Sequence, residues 1–269
     1  MSQSVRKNLK STEASPVLMA ENITVAFGGF VAVKGMNLKL HEHELHFLIG
    51  PNGAGKTTML DVICGKTKPL SGTVRLADGT ELTRLKEHQI VRKGVGRKFQ
   101  AQSIFGGLTV QENLALAAES QRSPLRTLGI PRFGKINTAM ERIIQQIGLQ
   151  DRVYTRAGAL SHGEKQWLEI GMLLLQEPRV LLLDEPVAGM TDEETHKTGR
   201  LLQGIARERS VVVVEHDMEF VREYAAKVTV MHEGKLLKEG TMSEVQEDAR
   251  VAEVYLGKRR DDHAVAATN

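Results

Sequence analysis

The sequence predicts an α/β fold built on a parallel sheet that is buried on both faces. Uninterrupted aliphatic runs lie at 180–183 and 211–214. Each run is followed by a helical pattern, at 192–208 and at 217–226. Parallel strands covered by helices on both sides have this continuous apolar character, because neither face meets water. A glycine-rich turn at 50–55 joins another strand-like segment to a helical pattern, so both halves of the chain contribute to one α/β core.

Length and composition exclude several classes of protein. Of the 269 residues, 41% are hydrophobic and 26% are charged, which is usual for a globular protein and too apolar for a disordered one. No stretch approaches the roughly 18 consecutive apolar residues of a membrane span. The leader lacks the apolar run of a signal peptide, and the single Cys64 cannot form an internal disulfide. We therefore expect a cytoplasmic chain that does not cross a membrane by itself.

The charge balance gives little indication of a nucleic-acid partner, and none is expected. Lys and Arg number 36 against 33 Asp and Glu, a formal net charge of +3. The segment 84–98 is nevertheless basic, with six Lys or Arg and one acid, Glu87. A solvent-exposed helical face accounts for such a segment more often than a binding patch does. The role of this segment stays open at this stage.

The N-terminal part is expected to be rich in strands. Short alternating strands, interrupted at Gly28-Gly29 and at Gly35, are indicated over 17–40, and residues 45–49 are expected to form a strand that enters the glycine-rich turn. A helix is expected over 56–64, followed by a hairpin over 73–82 around Asp78-Gly79.

The middle of the chain is predicted to be mostly helical. Helical periodicity extends over 109–149, with an interruption at 123–135 that contains two prolines and two glycines. Another helix, with one apolar face, is predicted over 164–175. This block, about 101–163, is inserted between the two halves of the α/β core.

The glycine-rich turn contains the strongest motif. It fits the phosphate-binding pattern G-x-x-x-x-G-K-[ST] in the required place, between a strand and a helix. Its residues are Gly50, Pro51, Asn52, Gly53, Ala54, Gly55, Lys56 and Thr57, followed by Thr58. In such a loop the backbone N–H groups surround phosphate oxygens, the lysine reaches the terminal phosphates and the threonine offers a hydroxyl to Mg²⁺. The motif predicts binding of a nucleoside triphosphate; an ordinary tight turn with an exposed lysine is the less favoured alternative.

Two carboxylates follow the aliphatic run 180–183. Asp184 and Glu185 are expected at the carboxyl edge of the sheet, where open α/β folds bind ligands. Beside a phosphate loop, Asp184 would hold Mg²⁺ and Glu185 would orient or deprotonate the attacking water, although the pair taken alone is also a common turn. His216 follows the run 211–214 and is expected at the same edge, within reach of a γ-phosphate. A histidine at a strand end is more often structural, but its position at this edge favours a catalytic role in which it hydrogen-bonds to the γ-phosphate and senses its charge.

Three histidines could suggest a metal site, since His41, His43 and His46 lie close together in the sequence. On a strand, the first two share a face and the third lies on the other. A polar entry to the strand before the phosphate loop is the preferred interpretation.

A short motif before a helix resembles the signature sequence of ATP-binding-cassette (ABC) ATPases. It consists of Leu160, Ser161, His162, Gly163 and Glu164. The family most often has Leu-Ser-Gly-Gly-Gln, so the chain departs from it at His162 and Glu164. Ser-x-x-Glu before an amphipathic helix is also a capping box, and both interpretations hold together because such a helix N-terminus is an anion site. The resemblance implies that Ser161 and Gly163 serve the γ-phosphate bound by a second subunit.

Other elements of the cassette occur in the same order. Gln100 matches the glutamine that, in the family, joins the core to the helical subdomain and contacts Mg²⁺ and water. Phe27 matches the aromatic residue that stacks on adenine, with a core phenylalanine as the alternative. Residues 188–192 match the loop that crosses the dimer interface, although they depart from the common Ser-Ala-Leu-Asp. The resemblance covers about residues 17–257.

The resemblance implies a P-loop NTPase (RecA-like) core with an antiparallel β subdomain and an inserted α-helical subdomain. The implied organisation is a polar tail at 1–16, an ABC ATPase domain at 17–257 and a polar tail at 258–269. The ligands would be ATP and Mg²⁺, with ATP hydrolysis coupled to transport. The partners would be a second ABC ATPase subunit, identical or paralogous, two integral membrane permease subunits and a periplasmic or extracellular solute-binding protein. Such a subunit is peripheral, at the cytoplasmic face of the inner membrane.

Within the family, two importer branches are similar to this chain. Residues 185–190, 251–257 and 27–29 look like the ATP-binding subunits of branched-chain amino-acid importers, whereas residues 160–171 look closer to the urea-uptake branch. The expected cargo is urea, or else a branched-chain amino acid. The alternative function is a soluble ABC-type clamp on nucleic acid or ribosomes, although those proteins usually have two cassettes or a long coiled-coil insertion. A P-loop kinase or GTPase would leave the signature motif without a role.

Overall fold

Two sheets and the helices packed on them make up the described part of the chain. The computed structural model describes residues 16–98, 104–119 and 137–254. The strands are β1 (Pro16–Phe27), β2 (Phe30–His41), β3 (Leu45–Ile49), β4 (Ser71–Leu76), β5 (Val95–Arg97), β6 (Val180–Asp184), β7 (Ser210–Val214), β8 (Lys227–His232) and β9 (Lys235–Gly240). The helices are α1 (Lys56–Ile63), α2 (Glu87–Arg92), α3 (Val110–Glu119), α4 (Thr138–Ile147), α5 (His162–Leu174), α6 (Asp192–Ala206), α7 (Met218–Tyr224) and α8 (Met242–Gln246).

The larger sheet is the predicted parallel sheet, with strand order β5-β6-β7-β3-β8-β9. Its strands pair in parallel from β5 to β8, and β9 pairs antiparallel with β8. Every residue of β3, β6 and β7 is buried. Side chains alternate between two cores, since Leu181 and Leu183 belong to one hydrophobic cluster and Leu182 to the other. The prediction of parallel strands buried on both faces is confirmed.

The smaller sheet is antiparallel, with order β2-β1-β4. The prediction of short strands was wrong here, because β1 and β2 have 12 residues each and join directly through Gly28 and Gly29. Gly35, expected to end a strand, lies inside β2 at φ +65°, where the pairing with β1 is irregular. A glycine in this conformation marks a bulge, so the strand continues past it. The expected hairpin is reduced to β4 and a single bridge between Arg75 and Glu81.

The helical block packs as three helices, with α5 in contact with both α3 and α4. Asn137 caps α4 by accepting a hydrogen bond from the Met140 N–H at 2.8 Å, and Gly148 ends the helix at φ +69°. The predicted interruption at 123–135 and the tail at 258–269 lie outside the described residues, as does the tail at 1–16 except for Pro16. Among the helices that the structure describes, none has the length and apolarity needed to cross a membrane.

The sequence suggests that the basic segment 84–98 is a solvent-exposed helical face. The structure agrees for only part of this segment. Arg92, in α2, is exposed, whereas Arg97 and Lys98 are 7% and 5% exposed. These two residues lie at the end of β5, a strand of three residues. A strand this short has no periodicity to reveal it, so its charged end was assigned to the surface.

Helix α6 packs on α7 at Gly199, and this contact provides a test of the fold. A Cβ at this position would lie 2.3 Å from two ring carbons of Tyr224, whose side chain is buried. We predict that Gly199→Ala lowers the free energy of unfolding by about 1–3 kcal/mol, because the helices must separate to admit the methyl group. Urea denaturation measures the change.

Gly204→Ala is the matched control in the same helix. A Cβ at Gly204 would meet nothing within 4 Å. This substitution should raise the free energy of unfolding by about 0.5–1 kcal/mol, since alanine is the better helix former. Stabilisation by both substitutions would contradict the packing of α6 on α7.

Candidate functional site

The ends of three adjacent parallel strands gather most of the predicted site residues at one edge of the larger sheet. The phosphate loop (50–57) follows β3, Asp184 ends β6 and His216 lies two residues beyond β7. Strand β7 lies between the other two, and it pairs Val214 with both Asp184 and Leu48. The site therefore occupies the carboxyl edge of the sheet, as predicted.

Glycines and one lysine shape the phosphate loop. Gly50 approaches β8 so closely that a Cβ would lie 2.1 Å from the Met231 carbonyl oxygen. Gly55, at φ +98°, leads directly into α1. The Lys56 ammonium donates to the carbonyl oxygens of Gly50 and Pro51, at 2.8 and 3.1 Å. A buried positive charge and a helix N-terminus thus meet at the loop, an arrangement that can bind phosphate.

A cavity of about 450 Å³ opens beside the loop. Its lining consists of Phe27, Phe30, Ala32, Asn52, Gly53, Ala54, Gly55, Lys56, Thr57, Thr58 and Glu185. Phe27 is 52% exposed, so it is not a core phenylalanine, and its neighbour Phe30 is 67% exposed. The cavity therefore combines phosphate-binding groups with aromatic rings that a base can stack on.

Thr57 and Asp184 form an oxygen-rich site that suits Mg²⁺. The Thr57 hydroxyl donates to Asp184 Oδ1 at 3.4 Å. The second carboxylate oxygen, Oδ2, is buried and accepts no hydrogen bond from a described residue, although the Arg97 guanidinium lies 3.5 Å from it. Burial raises the pKa of Asp184, although Thr57 and Arg97 oppose the shift. Mg²⁺ prefers oxygen ligands of this kind. Gln100, the other predicted Mg²⁺ ligand, lies outside the described residues.

Arg97 holds Asp184 in place and was missed by the sequence analysis. Its guanidinium lies 3.5 Å from Asp184 Oδ2, pairs with Asp61 and donates to Cys64 Sγ at 3.3 Å. Burial alone would lower the pKa of Arg97, but Cys64 and Asp61 outweigh it and raise the pKa. The arginine therefore stays charged and orients the Asp184 carboxylate. The basic segment contained the signal, but nothing local distinguished a buried arginine from its exposed neighbours.

Glu185 lines the cavity, and His216 lies beside Glu185. Glu185 Oε1 is 3.5 Å from His216 Nδ1, and both side chains are partly exposed. Glu185 has φ +50°, a strained conformation for a residue with a side chain, and its N–H donates to the Val214 carbonyl oxygen at 2.9 Å. Strain of this kind is typical of functional sites. The carboxylate is thereby placed where it can orient or deprotonate a water molecule.

Glu215 supports this pair from inside the protein, and it too was missed. It is 1% exposed and accepts hydrogen bonds from the Val187 and His216 N–H groups, at 3.3 and 3.2 Å. Burial raises the pKa of Glu215. Its contacts link the segment after Glu185 to the segment that presents His216.

Ser161 and Gly163 are not among the residues that line this cavity. They lie at the N-terminus of α5, where the predicted capping box is present. Ser161 Oγ accepts from the Glu164 N–H at 3.1 Å, and the Glu164 carboxylate accepts from the Ser161 N–H at 2.9 Å. His162 Nε2 lies 3.1 Å from the Ala188 carbonyl oxygen. The signature motif is therefore bonded to the segment that follows Glu185.

The histidines before the phosphate loop were interpreted as a polar entry to the strand, and His46 does not fit this interpretation. His46 is fully buried, with Nε2 2.7 Å from Thr229 Oγ1 and Nδ1 3.4 Å from Glu44. Across 16–98, 104–119 and 137–254, no three His, Cys, Asp or Glu side chains are grouped as a metal site requires.

The role of Arg97 can be tested by a conservative substitution. We predict that Arg97→Lys lowers the free energy of unfolding by about 1–3 kcal/mol, because one ammonium nitrogen cannot replace both Nη1, beside Asp61 and Cys64, and Nη2, beside Asp184. Urea denaturation without nucleotide measures the loss. Arg142→Lys is the control, since Arg142 pairs with Glu208 at 3.9 Å on the surface, and it should change stability by less than about 0.5 kcal/mol. Equal effects would show that the guanidinium geometry is unimportant.

Comparisons with known proteins agree with this geometry. The family profile described as ABC transporter matches residues 33–188. The high-affinity branched-chain amino acid transport ATP-binding protein BraF of Pseudomonas aeruginosa is 36% identical over 252 residues, covering 90% of this chain and 98% of that protein. LivG, of the same description, from Escherichia coli (strain K12), is 34% identical over 254 residues, covering 91% and 99%.

The structural comparison confirms the predicted fold class. The crystal structure of the ADP conformation of an ATP-binding cassette of an ABC transporter has a TM-score of 0.79 and 28% sequence identity. The match covers 90% of this chain and 99% of that one. The P-loop NTPase core, the antiparallel β subdomain and the helical insertion are those of an ABC ATPase. The chain belongs to the ABC transporter family, as one of its ATP-hydrolysing subunits.

Proposed function

We propose that the chain hydrolyses ATP in a dimer with a like subunit and thereby drives uptake of a small polar solute through separate membrane subunits. The observation that carries the proposal is the meeting of the phosphate loop, Asp184, Glu185 and His216 at one sheet edge, beside the cavity that Phe27 lines. This edge combines a phosphate cradle, a cation site and a carboxylate able to act as a base, which are the parts that phosphoryl transfer to water requires.

Substrate binding uses the cavity and the loop. Phe27 stacks on the adenine, and the loop amides with Lys56 bind the β- and γ-phosphates. Thr57, Asp184 and Gln100 would hold Mg²⁺, which neutralises phosphate charge when bound. Arg97 keeps the Asp184 carboxylate oriented toward this site.

Hydrolysis depends on Glu185. Its carboxylate orients the attacking water and accepts a proton from it, while the bond between the γ-phosphorus and the bridging oxygen breaks to give ADP and phosphate. His216, 3.5 Å from Glu185, donates a hydrogen bond to the γ-phosphate. Glu215 accepts hydrogen bonds from the Val187 and His216 N–H groups, and these bonds hold the segments that carry Glu185 and His216 in position.

A second subunit, identical or paralogous, completes the site. Ser161 and Gly163 lie outside the cavity of their own chain, at the N-terminus of α5, which supports a role toward a neighbour's nucleotide. A serine hydroxyl, a glycine amide and the helix dipole together bind a γ-phosphate. Two ATP molecules are then sandwiched between the subunits, and hydrolysis removes the phosphate bridges and lets the dimer open.

The cargo and the other partners follow from two kinds of similarity. The similarity to BraF and LivG, which are branched-chain amino acid transport ATP-binding proteins, supports a branched-chain amino acid as cargo, whereas the resemblance of residues 160–171 supports urea. Two permease subunits and a periplasmic or extracellular solute-binding protein complete an importer, with this chain peripheral at the cytoplasmic face of the inner membrane. The clamp on nucleic acid or ribosomes is not favoured, because these relatives are described as transport proteins.

The hydrolytic role of Glu185 predicts the behaviour of Glu185→Gln. This variant should keep ATP binding, lose about 100- to 10,000-fold in turnover because the base is removed, and accumulate ATP-bound dimers. Phosphate release and sedimentation velocity measure the two effects. Glu177→Gln is the matched control, since Glu177 is exposed, also has φ +50° and does not line the cavity. Turnover at the parent rate in Glu185→Gln would show that Glu185 is not the base.

Uptake assays distinguish the two cargoes. Cells from which the gene has been deleted are complemented with the wild-type chain or with Lys56→Ala, which lacks the loop ammonium. Uptake of radiolabelled leucine and of radiolabelled urea is then measured. The wild type should restore uptake of one of them at least tenfold better than Lys56→Ala. If neither solute depends on the chain, the proposed cargo classes are wrong.

A further inference from the structure

The N-terminus of α5 already holds a carboxylate from the same chain. The Ser161 hydroxyl donates to Glu194 Oε1 at 2.8 Å, and the Gly163 backbone lies directly against the same carboxylate. Glu194 lies in the first turn of α6, 33 residues further along the chain. Of the two groups that the proposed function assigns to a γ-phosphate, Ser161 is therefore bonded to Glu194 and Gly163 is covered by it.

The absence of a side chain at Gly163 permits this close contact. A Cβ on Gly163 would lie 2.6 Å from the carboxylate carbon of Glu194 and equally near its Oε1. The opening that the glycine leaves is thus filled by an anionic group. A phosphate oxygen has the same charge sign and the same capacity to accept hydrogen bonds, so it fits the same place.

Glu194 is anchored to its own helix as well. Its second oxygen accepts from the Thr191 N–H at 3.1 Å, and the Thr191 hydroxyl accepts from the Glu194 N–H at 3.3 Å, which completes a capping box on α6. Partial burial opposes ionisation, but the hydrogen bonds from Ser161 and Thr191 outweigh it and lower the pKa of Glu194. The Glu194 carboxylate is therefore an anion at neutral pH. One of its oxygens is bonded to Ser161, which caps α5, and the other to Thr191, which caps α6.

A second contact joins the same two segments. His162 Nε2 lies 3.1 Å from the Ala188 carbonyl oxygen, in the loop that leads from Glu185 to α6. The signature motif is thus bonded to residues 188–194 through both Ser161 and His162. Both ties lie within one subunit, where they orient the N-terminus of α5 before any neighbour arrives.

We propose that Glu194 is a positioning residue whose carboxylate occupies the γ-phosphate place of the signature motif in the nucleotide-free subunit, and that the neighbour's ATP displaces it. The inference rests on the proposed ATP sandwich and adds a competitor to it. The carboxylate keeps Ser161 and Gly163 aligned, and it raises the ATP concentration at which the sandwich closes. After displacement, Glu194 keeps its bonds to Thr191.

The test compares ATP-dependent dimerisation in the hydrolysis-deficient Glu185→Gln background. Glu194→Gln removes the charge but keeps an oxygen acceptor, and glutamine also serves in a capping box, so α6 retains its cap. The ATP concentration for half-maximal dimerisation should fall about fivefold, because a neutral amide competes less well for the Ser161 hydroxyl than a carboxylate does. Sedimentation velocity across an ATP titration gives this concentration. A merely structural role would raise it, since a disordered motif binds less well.

Glu244→Gln is the matched control. Thr241 and Glu244 form the same type of capping box on α8, which packs on β8 and β9. This substitution should leave the half-maximal ATP concentration unchanged. Glu194→Asp is the second variant, since its shorter carboxylate cannot bond Ser161 and Thr191 together, and it too should lower the ATP concentration.

The outcomes separate the two proposals. An unchanged or higher half-maximal ATP concentration in Glu194→Gln or Glu194→Asp, while the Glu185→Gln parent dimerises, would overturn the competition by Glu194. Failure of the Glu185→Gln parent itself to dimerise with ATP would instead contradict the ATP sandwich on which the inference rests.

Discussion

The parallel pairing of β6, β7 and β3 is the constraint on which the site depends. Because Val214 pairs with both Asp184 and Leu48, the Asp184 carboxylate and the phosphate loop leave the sheet at the same level. A shift of one residue along β6 would turn Asp184 to the opposite face and exchange its apolar side chains between the two cores. Helices and the smaller sheet cover both faces, so such a shift would leave apolar side chains poorly packed. The hydrophobic packing thereby fixes the geometry of the chemistry.

Buried charges at the end of β5 connect this edge to the rest of the molecule. Arg97 reaches Asp61 on α1 and Asp184 on β6, and Lys98 pairs with Glu169 on α5 at 3.3 Å. Buried ion pairs add little stability, because the cost of removing both charges from water offsets their attraction. Here the ion pairs mainly fix the positions of the elements that they join. Helix α5, which carries the signature motif, and strand β6, which carries Asp184, are both joined by these ion pairs to the end of β5.

Local chemistry explains what could be predicted from the sequence. The phosphate loop and the Asp184-Glu185 pair were found because each combines a functional residue type with the end of a buried strand. Arg97 and Glu194 could not be found in this way, since their partners lie 36 and 33 residues away and no local pattern specifies the pairing. The predicted strand break at Gly35 was wrong because a glycine in a strand pattern can mark either the end of a strand or a bulge, and here it marks a bulge. The role of Gln100 stays a prediction.

The departures from the common signature sequence have a structural consequence. His162 bonds the Ala188 carbonyl group, and Glu164 bonds both the Ser161 amide and Arg152, the latter at 3.2 Å. Together with Glu194, they give the motif partners within its own subunit before ATP arrives. In the proposed ATP sandwich, closure of the dimer is then an exchange of hydrogen bonds at Ser161, and an exchange contributes far less free energy than a new bond to an unpaired donor would. The equilibrium between open and closed dimers therefore depends on the small difference between a carboxylate and a phosphate as acceptors. Loss of the γ-phosphate reverses that difference, so hydrolysis can open the dimer without any other change in the motif.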